Sequence, residues 1–237
     1  MKKYMVMQRI ELKYLLNPEQ KKFFTEKLKG HMEPDEFGKT TIASLYYDTP
    51  DYQLIRTSLE KPAFKEKIRL RAYGPAGDDS PVYLELKRKL DKIVYKRRVQ
   101  STIPQVERFF KGRDEICDGG QIKREITYFR DFYHNLGPSC LIFYDRVAYY
   151  EPGGDLRLTI DEKPRYRMED LNLELPPEGL PLLPEGWSIL EIKVQQSLPL
   201  WLVDILSEGK IYHTSFSKYG EAYRRQTGSS LLLEQAV

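Results

Sequence analysis

The 237-residue sequence predicts an α+β fold, a closed or nearly closed antiparallel eight-stranded β-tunnel with helices packed outside. Three observations carry that prediction. About eight segments read as strands, and six of them set basic residues in steps of two opposite aliphatic ones, the period of a strand with two unlike faces. Segments of helical period interrupt them, without a GxGxxG fingerprint or a P-loop, which argues against a doubly wound parallel sheet. The ionic face is cationic in strand after strand. If helices cover the apolar face of a closed barrel, the ionic face must point inward.

The first strand is Met7 to Tyr14, with Ile10 and Leu12 opposite Arg9, Glu11 and Lys13. Asn17 then offers an N-cap, Pro18 suits the first helical position, and Phe23, Phe24, Leu28 and Met32 recur at helical spacing to about His31. Thr41 to Tyr47 is the second strand, and Asp48, Thr49 and Pro50 turn it into a short helix over Tyr52 to Ser58. Lys65 to Tyr73 sets Lys67, Arg69 and Arg71 opposite Ile68 and Leu70. Val82 to Lys89 sets Tyr83, Glu85, Lys87 and Lys89 opposite Leu84 and Leu86, and Gly74, Pro75, Gly77, Asp78 and Asp79 make the hairpin between these strands. A fifth strand, Ile93 to Ser101, aligns Lys96 with Arg98. From Pro104 to Leu136 the period becomes helical, giving one short and one long helix parted by Gly119 and Gly120. Strands resume at Leu141 to Tyr149, with Tyr144 and Arg146 in phase, and at Asp155 to Asp161, joined by a Pro152-Gly153-Gly154 turn. A Pro-rich loop, Pro176 to Pro184, leads to Ser188 to Gln195, where Glu191 and Lys193 oppose Leu190, Ile192 and Val194. A helix over Leu200 to Ser207 precedes the segment Ser215 to Arg225.

The length suits one domain spanning residues 1–237. With 38 Lys+Arg against 35 Asp+Glu, the chain is no polycation that holds nucleic acid by bulk charge. Its cations alternate with aliphatic residues and not with exposed stacking aromatics, which also argues against a nucleic-acid partner. The apolar stretches at Leu198 to Ile205 and Leu231 to Leu233 fall far short of the roughly 20 residues of a spanning helix, and no secretion signal is visible. Cys117 and Cys140 have neither metal-ligand nor redox spacing, so a cytoplasmic protein with free thiols is expected. His31, His134 and His213 are scattered without ligand spacing.

A single strand of this kind reads most simply as one face in the core and one in water. Six together are different: Arg69, Arg71, Lys87, Lys96, Arg98, Arg146, Arg157 and Lys193 form one cationic set, accompanied by Glu11, Glu85 and Glu191. Unpaired cations lining a lumen are costly unless a multivalent anion and water occupy it. A phosphate chain meets that need, since Arg makes planar bidentate contacts and Lys acts as a point charge. The glutamates cannot bind phosphate directly, but their oxygens suit Mg²⁺ or Mn²⁺. Glu11 reads equally as a second metal ligand or as the partner of a lumen cation, Glu85 as electrostatic support for Lys87 or Arg71, and Tyr46, Asp48 and Tyr52 as packing and a helix cap.

Taken in order, several motifs resemble the VTC-type polyphosphate polymerase domain of the triphosphate tunnel metalloenzyme (CYTH-like) superfamily. They are Arg9-Ile10-Glu11-Leu12-Lys13-Tyr14, Ser44-Leu45-Tyr46-Tyr47-Asp48-Thr49, Ile68-Arg69-Leu70-Arg71-Ala72-Tyr73-Gly74, Glu85-Leu86-Lys87, Tyr144-Asp145-Arg146, Arg157 with Asp161, Leu190-Glu191-Ile192-Lys193 and Ser217-Lys218-Tyr219. The resemblance covers nearly the whole chain. It implies a metal-dependent phosphotransferase that moves the γ-phosphoryl group of ATP onto a polyphosphate chain. Carried over by position, Lys13, Arg69, Arg71, Lys87, Lys96, Arg146, Arg157 and Lys218 resemble the family's phosphate-binding residues and Glu191 its metal ligand. The expected roles follow from this: Arg69, Arg71, Arg146 and Arg157 clamp the triphosphate, Lys13, Lys87, Lys96, Lys193 and Lys218 guide acceptor or product, and Glu191 with Glu11 holds Mg²⁺ or Mn²⁺. Two departures stand out. Arg9 replaces the first Glu of the Glu-x-Glu-x-Lys start usual in the hydrolytic branch, and Ser215 stands where the polymerases carry a second basic residue. The partners implied are ATP and inorganic phosphate or polyphosphate; no membrane segment is seen in this sequence, which leaves open whether a separate membrane partner exports product. The alternatives are an inorganic or nucleoside triphosphatase and a non-catalytic polyphosphate-binding module.

Overall fold

The computed structural model describes residues 10–91, 93–113, 116 and 120–228. The expectations for Met7 to Arg9, Cys117, Gly119 and Leu231 to Leu233 lie outside the described residues. In chain order the elements are β1 (Ile10–Leu16), α1 (Pro18–Lys27), β2 (Glu33–Pro34), β3 (Thr40–Asp48), α2 (Gln53–Leu59), β4 (Phe64–Tyr73), β5 (Val82–Leu90), β6 (Ile93–Ser101), α3 (Ile103–Phe110), α4 (Gly120–Tyr133), β7 (Gly137–Tyr150), β8 (Arg157–Arg167), β9 (Leu180–Pro181), β10 (Ser188–Val194), α5 (Leu200–Glu208), β11 (His213–Thr214) and α6 (Lys218–Gln226).

The α+β class and the large antiparallel sheet are as expected, but the closed eight-stranded tunnel is not. The sheet has 11 strands, in the hydrogen-bonded order β11-β1-β10-β8-β7-β3-β4-β5-β6, with β2 on β7 and β9 on β8. Among the described residues this path has two ends, β11 and β6. The eight long strands are the eight read from the sequence. The additional β2, β9 and β11 are two residues each, too short to carry a period. Closure depends on strand number, tilt and shear, whereas alternation reports only that a strand has two faces.

The chain packs as two compact units, Met1–Thr40 with Tyr144–Pro164 and Leu183–Phe216, and Thr41–Phe143 with Arg165–Leu182 and Ser217–Val237. In the first, β1 pairs β10 from Ile10↔Val194 to Leu16↔Ser188, and β10 pairs β8 from Ser188↔Glu162 to Lys193↔Arg157. Leu16, Phe24, Leu28, Leu158, Ile160, Leu190, Ile192 and Leu202 form its core, so α1 and α5 bury their apolar sides with the aliphatic side of these strands. Asn17 caps α1 as its sequence suggests: its side chain accepts from Gln20 N at 2.8 Å, and Gln20 Oε1 accepts from Asn17 N at 3.2 Å.

In the second unit, β3, β4, β5 and β6 form a continuous ladder, from Tyr46↔Arg69 through Arg69↔Glu85 to Glu85↔Arg98. Leu45, Ile68, Leu70, Leu84, Leu86, Val106, Phe109, Ile126, Phe129 and Phe143 fill its core. The aromatic stripes of α3 and α4 are therefore core residues, as helical stripes usually are. The start of α2 is held by the preceding strand. Asp48 accepts from Leu54 N at 2.8 Å and Ile55 N at 3.0 Å, and Thr49 Oγ1 accepts from Gln53 N at 2.9 Å. Tyr52 enters this turn at φ 60, a left-handed conformation disfavoured for a bulky residue and sustained by those bonds.

Sequence periodicity missed α6 and displaced several strand boundaries: β7 begins at Gly137 and not Leu141, and β8 runs on to Arg167 and not Asp161. The helix KYGEAYRRQ has little apolar content, and its start depends on the Ser217 side chain accepting from Gly220 N at 3.2 Å. Strand β8 begins at Arg157 and not at Asp155, whose carboxylate instead accepts from Gln195 N at 2.8 Å. No helix among the described residues is long and apolar enough to cross a membrane.

Candidate functional site

The charged faces of the two units differ in composition, and the difference follows from strand register. In the second unit, the face shared by β4, β5 and β6 carries Lys65, Lys67, Arg69, Arg71, Lys87, Lys89, Lys96 and Arg98, against one carboxylate, Glu85. Like charges opposite one another across strands repel. Lys67 nevertheless faces Lys87, and Lys87 faces Lys96.

Glu85 is the hub of this face. Its side chain is 1% exposed, and it receives Arg69 at 2.8 Å, Lys96 at 2.6 Å, Arg71 at 3.6 Å and Arg98 at 3.7 Å. Burial pushes its carboxyl up, but Arg69, Arg71 and Lys96 outweigh burial and hold it at about 2, against an ordinary 4.5. Burial also lowers the Lys96 ammonium, Glu85 opposes that, and the neighbouring Arg71 and Arg69 add to it. The carboxylate thus gathers the cations without neutralising them as a group. Arg69 also donates to Tyr46 Oη at 3.1 Å, and the Tyr46 ring stacks on Tyr219 with centroids 4.6 Å apart. Buried Tyr219 donates to Asp48 at 2.8 Å and meets Ser139 Oγ at 2.6 Å, so α6 is tied to the strands beside the cations. Burial and the adjacent Asp48 raise the Tyr219 phenol far above its ordinary value, which keeps it a neutral donor. Lys218 begins α6 next to it and is half-buried, while Lys87 is exposed.

The charged face of the first unit is closer to balance. Lys13 Nζ lies 3.1 Å from Glu11 and 3.5 Å from Glu191, and Lys193 Nζ lies 2.6 Å from Glu191. Burial would raise the Glu191 carboxyl, but Lys193, Lys13 and Arg146 reverse this and hold it well below the carboxylate range. Arg146 is clamped to buried Asp161 through two bonds, Nε to Oδ1 at 2.6 Å and Nη2 to Oδ2 at 2.8 Å. Arg157, in register with Lys193, is exposed and donates to the carbonyls of Leu156 at 2.9 Å and Gly154 at 3.4 Å.

Among the described residues no three His, Cys, Asp or Glu side chains cluster as a complete metal cage. The carboxylates of Glu11 and Glu191 still fit Mg²⁺ or Mn²⁺, because such ions take one or two protein carboxylates and complete their shell with water and substrate phosphate. A second observation agrees with a ligand here: the hydroxyl of Thr159, in register with Glu191, is buried without a hydrogen-bond partner.

The structure thus brings together Arg69, Arg71 and Lys96 around Glu85, and Lys13, Lys193 and Arg146 around Glu191. Sequence reasoning missed the parts played by Tyr46, Asp161 and Tyr219. Tyr46 and Tyr219 carried a detectable signal, each standing in one of the family-like motifs, but neither is charged nor alternates with charge. Asp161 also stands in a motif, with Arg157, yet its partner proves to be Arg146.

The sequence profile of the VTC domain matches residues 8–226. Vacuolar transporter chaperone complex subunit 4 of Schizosaccharomyces pombe is 24% identical over 222 residues, which span 75% of this chain and 30% of that protein. Among solved structures, one described as a proposed adenylate cyclase of Bacillus halodurans superposes with a TM-score of 0.56 at 15% identity, covering 89% of this chain and 96% of its own. Another, described in the same way and from Vibrio parahaemolyticus, gives 0.51 at 12% identity, covering 92% and 99%. At such identities the likeness concerns the fold.

Proposed function

Because the chain belongs to the VTC domain family, we propose that it is an ATP-dependent polyphosphate polymerase, transferring the γ-phosphoryl group of ATP to a polyphosphate chain. The observation that carries this reading is the excess of positive charge on β4, β5 and β6, where Lys67, Arg69, Arg71, Lys87, Lys96 and Arg98 share a face with one carboxylate of these strands, Glu85. A triphosphate supplies the negative charge and acceptor oxygens that such a face lacks.

Phosphoryl transfer needs no protein nucleophile; it needs in-line positioning and neutralised equatorial oxygens. Arg69 and Arg71, steered by Glu85, hold phosphoryl oxygens with planar donors, and Lys96 adds a point charge beside them. Tyr46 fixes the rotamer of Arg69. Lys87 and Lys218 are the acceptor and product contacts of the second unit. In the first unit, Arg146, oriented by Asp161, and Lys13 bind phosphate, while Lys193 and Arg157 form a more exposed pair. Glu11 and Glu191 would hold Mg²⁺ or Mn²⁺, which supplies further neutralisation of phosphate charge. A cytoplasmic location and a separate membrane partner for export remain part of this reading, in keeping with a relative that is a subunit of a vacuolar transporter chaperone complex.

The replacement of the first Glu of the hydrolytic start by Arg9 favours a phosphate acceptor over water. The test is to incubate the protein with ATP and separately with tripolyphosphate, with Mg²⁺, Mn²⁺ or neither, and to resolve products on a gel. A ladder of lengthening polyphosphate that requires ATP supports the polymerase. Release of inorganic phosphate without chain growth assigns a triphosphatase, and retention of labelled polyphosphate without turnover assigns a binding module.

A further inference from the structure

We propose that Lys65 and Lys89 form an additional phosphate subsite that takes polyphosphate chains longer than a triphosphate. The inference rests on the phosphate-binding reading of β4–β6 and deepens it. Register supplies the first argument. Lys65 faces Lys89 directly across β4 and β5, one two-residue step from the Lys67, Lys87 and Lys96 row and on the same face. At roughly 3.4 Å per residue, that step moves about 7 Å along the strands, and the six residues from Arg71 to Lys65 span about 20 Å. A triphosphate at Arg69 and Arg71 is far shorter than this run of cations.

Charge supplies the second argument. Directly opposed lysines repel, since their Cβ atoms lie about 5 Å apart, and this rung places two of them together where β4 meets the end of α2. Lys65 is half-buried, with Nζ donating to the Ser58 carbonyl at 3.3 Å. Burial lowers its ammonium pKa, and the charges of Lys89 and Lys61 lower it further. A linear polyanion that continues past the arginines relieves this repulsion by lying between them.

The experiment is a calorimetric titration at fixed ionic strength, using inorganic tripolyphosphate and long-chain sodium polyphosphate as probes. The proteins compared are wild type and a Lys65→Gln, Lys89→Gln double variant, with melting curves to establish that both are folded. The expected result is unchanged tripolyphosphate affinity in the variant and about tenfold weaker binding of the long chain, the loss of roughly two modest ion contacts. A variant that keeps the wild-type preference for the long chain overturns the inference while leaving the phosphate reading intact. Failure of the wild-type protein to bind tripolyphosphate overturns that reading, and the inference with it.

Discussion

Replacing Glu85 by Gln keeps the side-chain shape and removes the charge on which Arg69, Arg71 and Lys96 converge. The magnitude follows from the carboxyl, which these cations hold at about 2 in the fold against an ordinary 4.5. At 1.36 kcal/mol per tenfold change in acidity, the folded state favours the ionised group by roughly 3 kcal/mol. Since the folded pKa is the lower one, this contribution is complete above pH 4.5 and is lost as pH falls through about 2. Glu85→Gln should therefore lose about 3 kcal/mol at pH 7, which lowers the melting temperature of a chain this size by about 6 to 12 °C. The assay is a pair of melting series, wild type and variant, from pH 7 to pH 2. The informative quantity is the difference between them, because other carboxylates titrate in both proteins. The difference should shrink below pH 4.5 and vanish near pH 2. Tripolyphosphate should stabilise the variant more than wild type, having taken over the neutralising role. Equal stability at pH 7, or a difference that does not change with pH, would refute the assignment of Glu85 as the hub.

Arg69→Ala removes a planar donor from the proposed clamp, so ATP-dependent product formation should fall by about 100-fold while the far-ultraviolet spectrum is unchanged. Asp161→Asn breaks a two-bond ion pair whose carboxylate is 1% exposed, and urea unfolding should show a loss of about 3 to 5 kcal/mol. Tyr219→Phe deletes the hydroxyl that joins Asp48 and Ser139; it should cost about 1 to 3 kcal/mol and raise hydrogen exchange in α6 above that of β5.

Much of this architecture follows from side-chain period alone. The eight long strands, the capping of α1 by Asn17 and the aromatic cores under α3 and α4 each depend on neighbours a few residues away, which the sequence displays. What escaped has physical causes of another kind. The pairings of β2, β9 and β11 involve two residues each and leave no pattern. Helix α6 is tied down by Tyr219 reaching a residue 171 positions earlier, and nothing local announces that bond. Alternation brought Arg69, Arg71, Glu85 and Lys96 onto one face, but it could not tell that Glu85 serves three or more cations at once, since that depends on register across β4, β5 and β6. Nor could it show that the strands bearing Lys13, Arg146, Glu191 and Lys193 carry enough carboxylate to balance their cations. Charge excess therefore belongs to the face of β4, β5 and β6, and near-balance to the face that carries Glu11 and Glu191.

The most direct measurement is the stoichiometry and affinity of tripolyphosphate by titration calorimetry, with citrate, a multivalent anion lacking phosphoryl groups, as the matched control. The expected result is saturable tripolyphosphate binding that citrate does not reproduce and that Arg69→Ala with Arg71→Ala abolishes. Equal uptake of both anions, or tripolyphosphate binding that survives loss of both arginines, would contradict it.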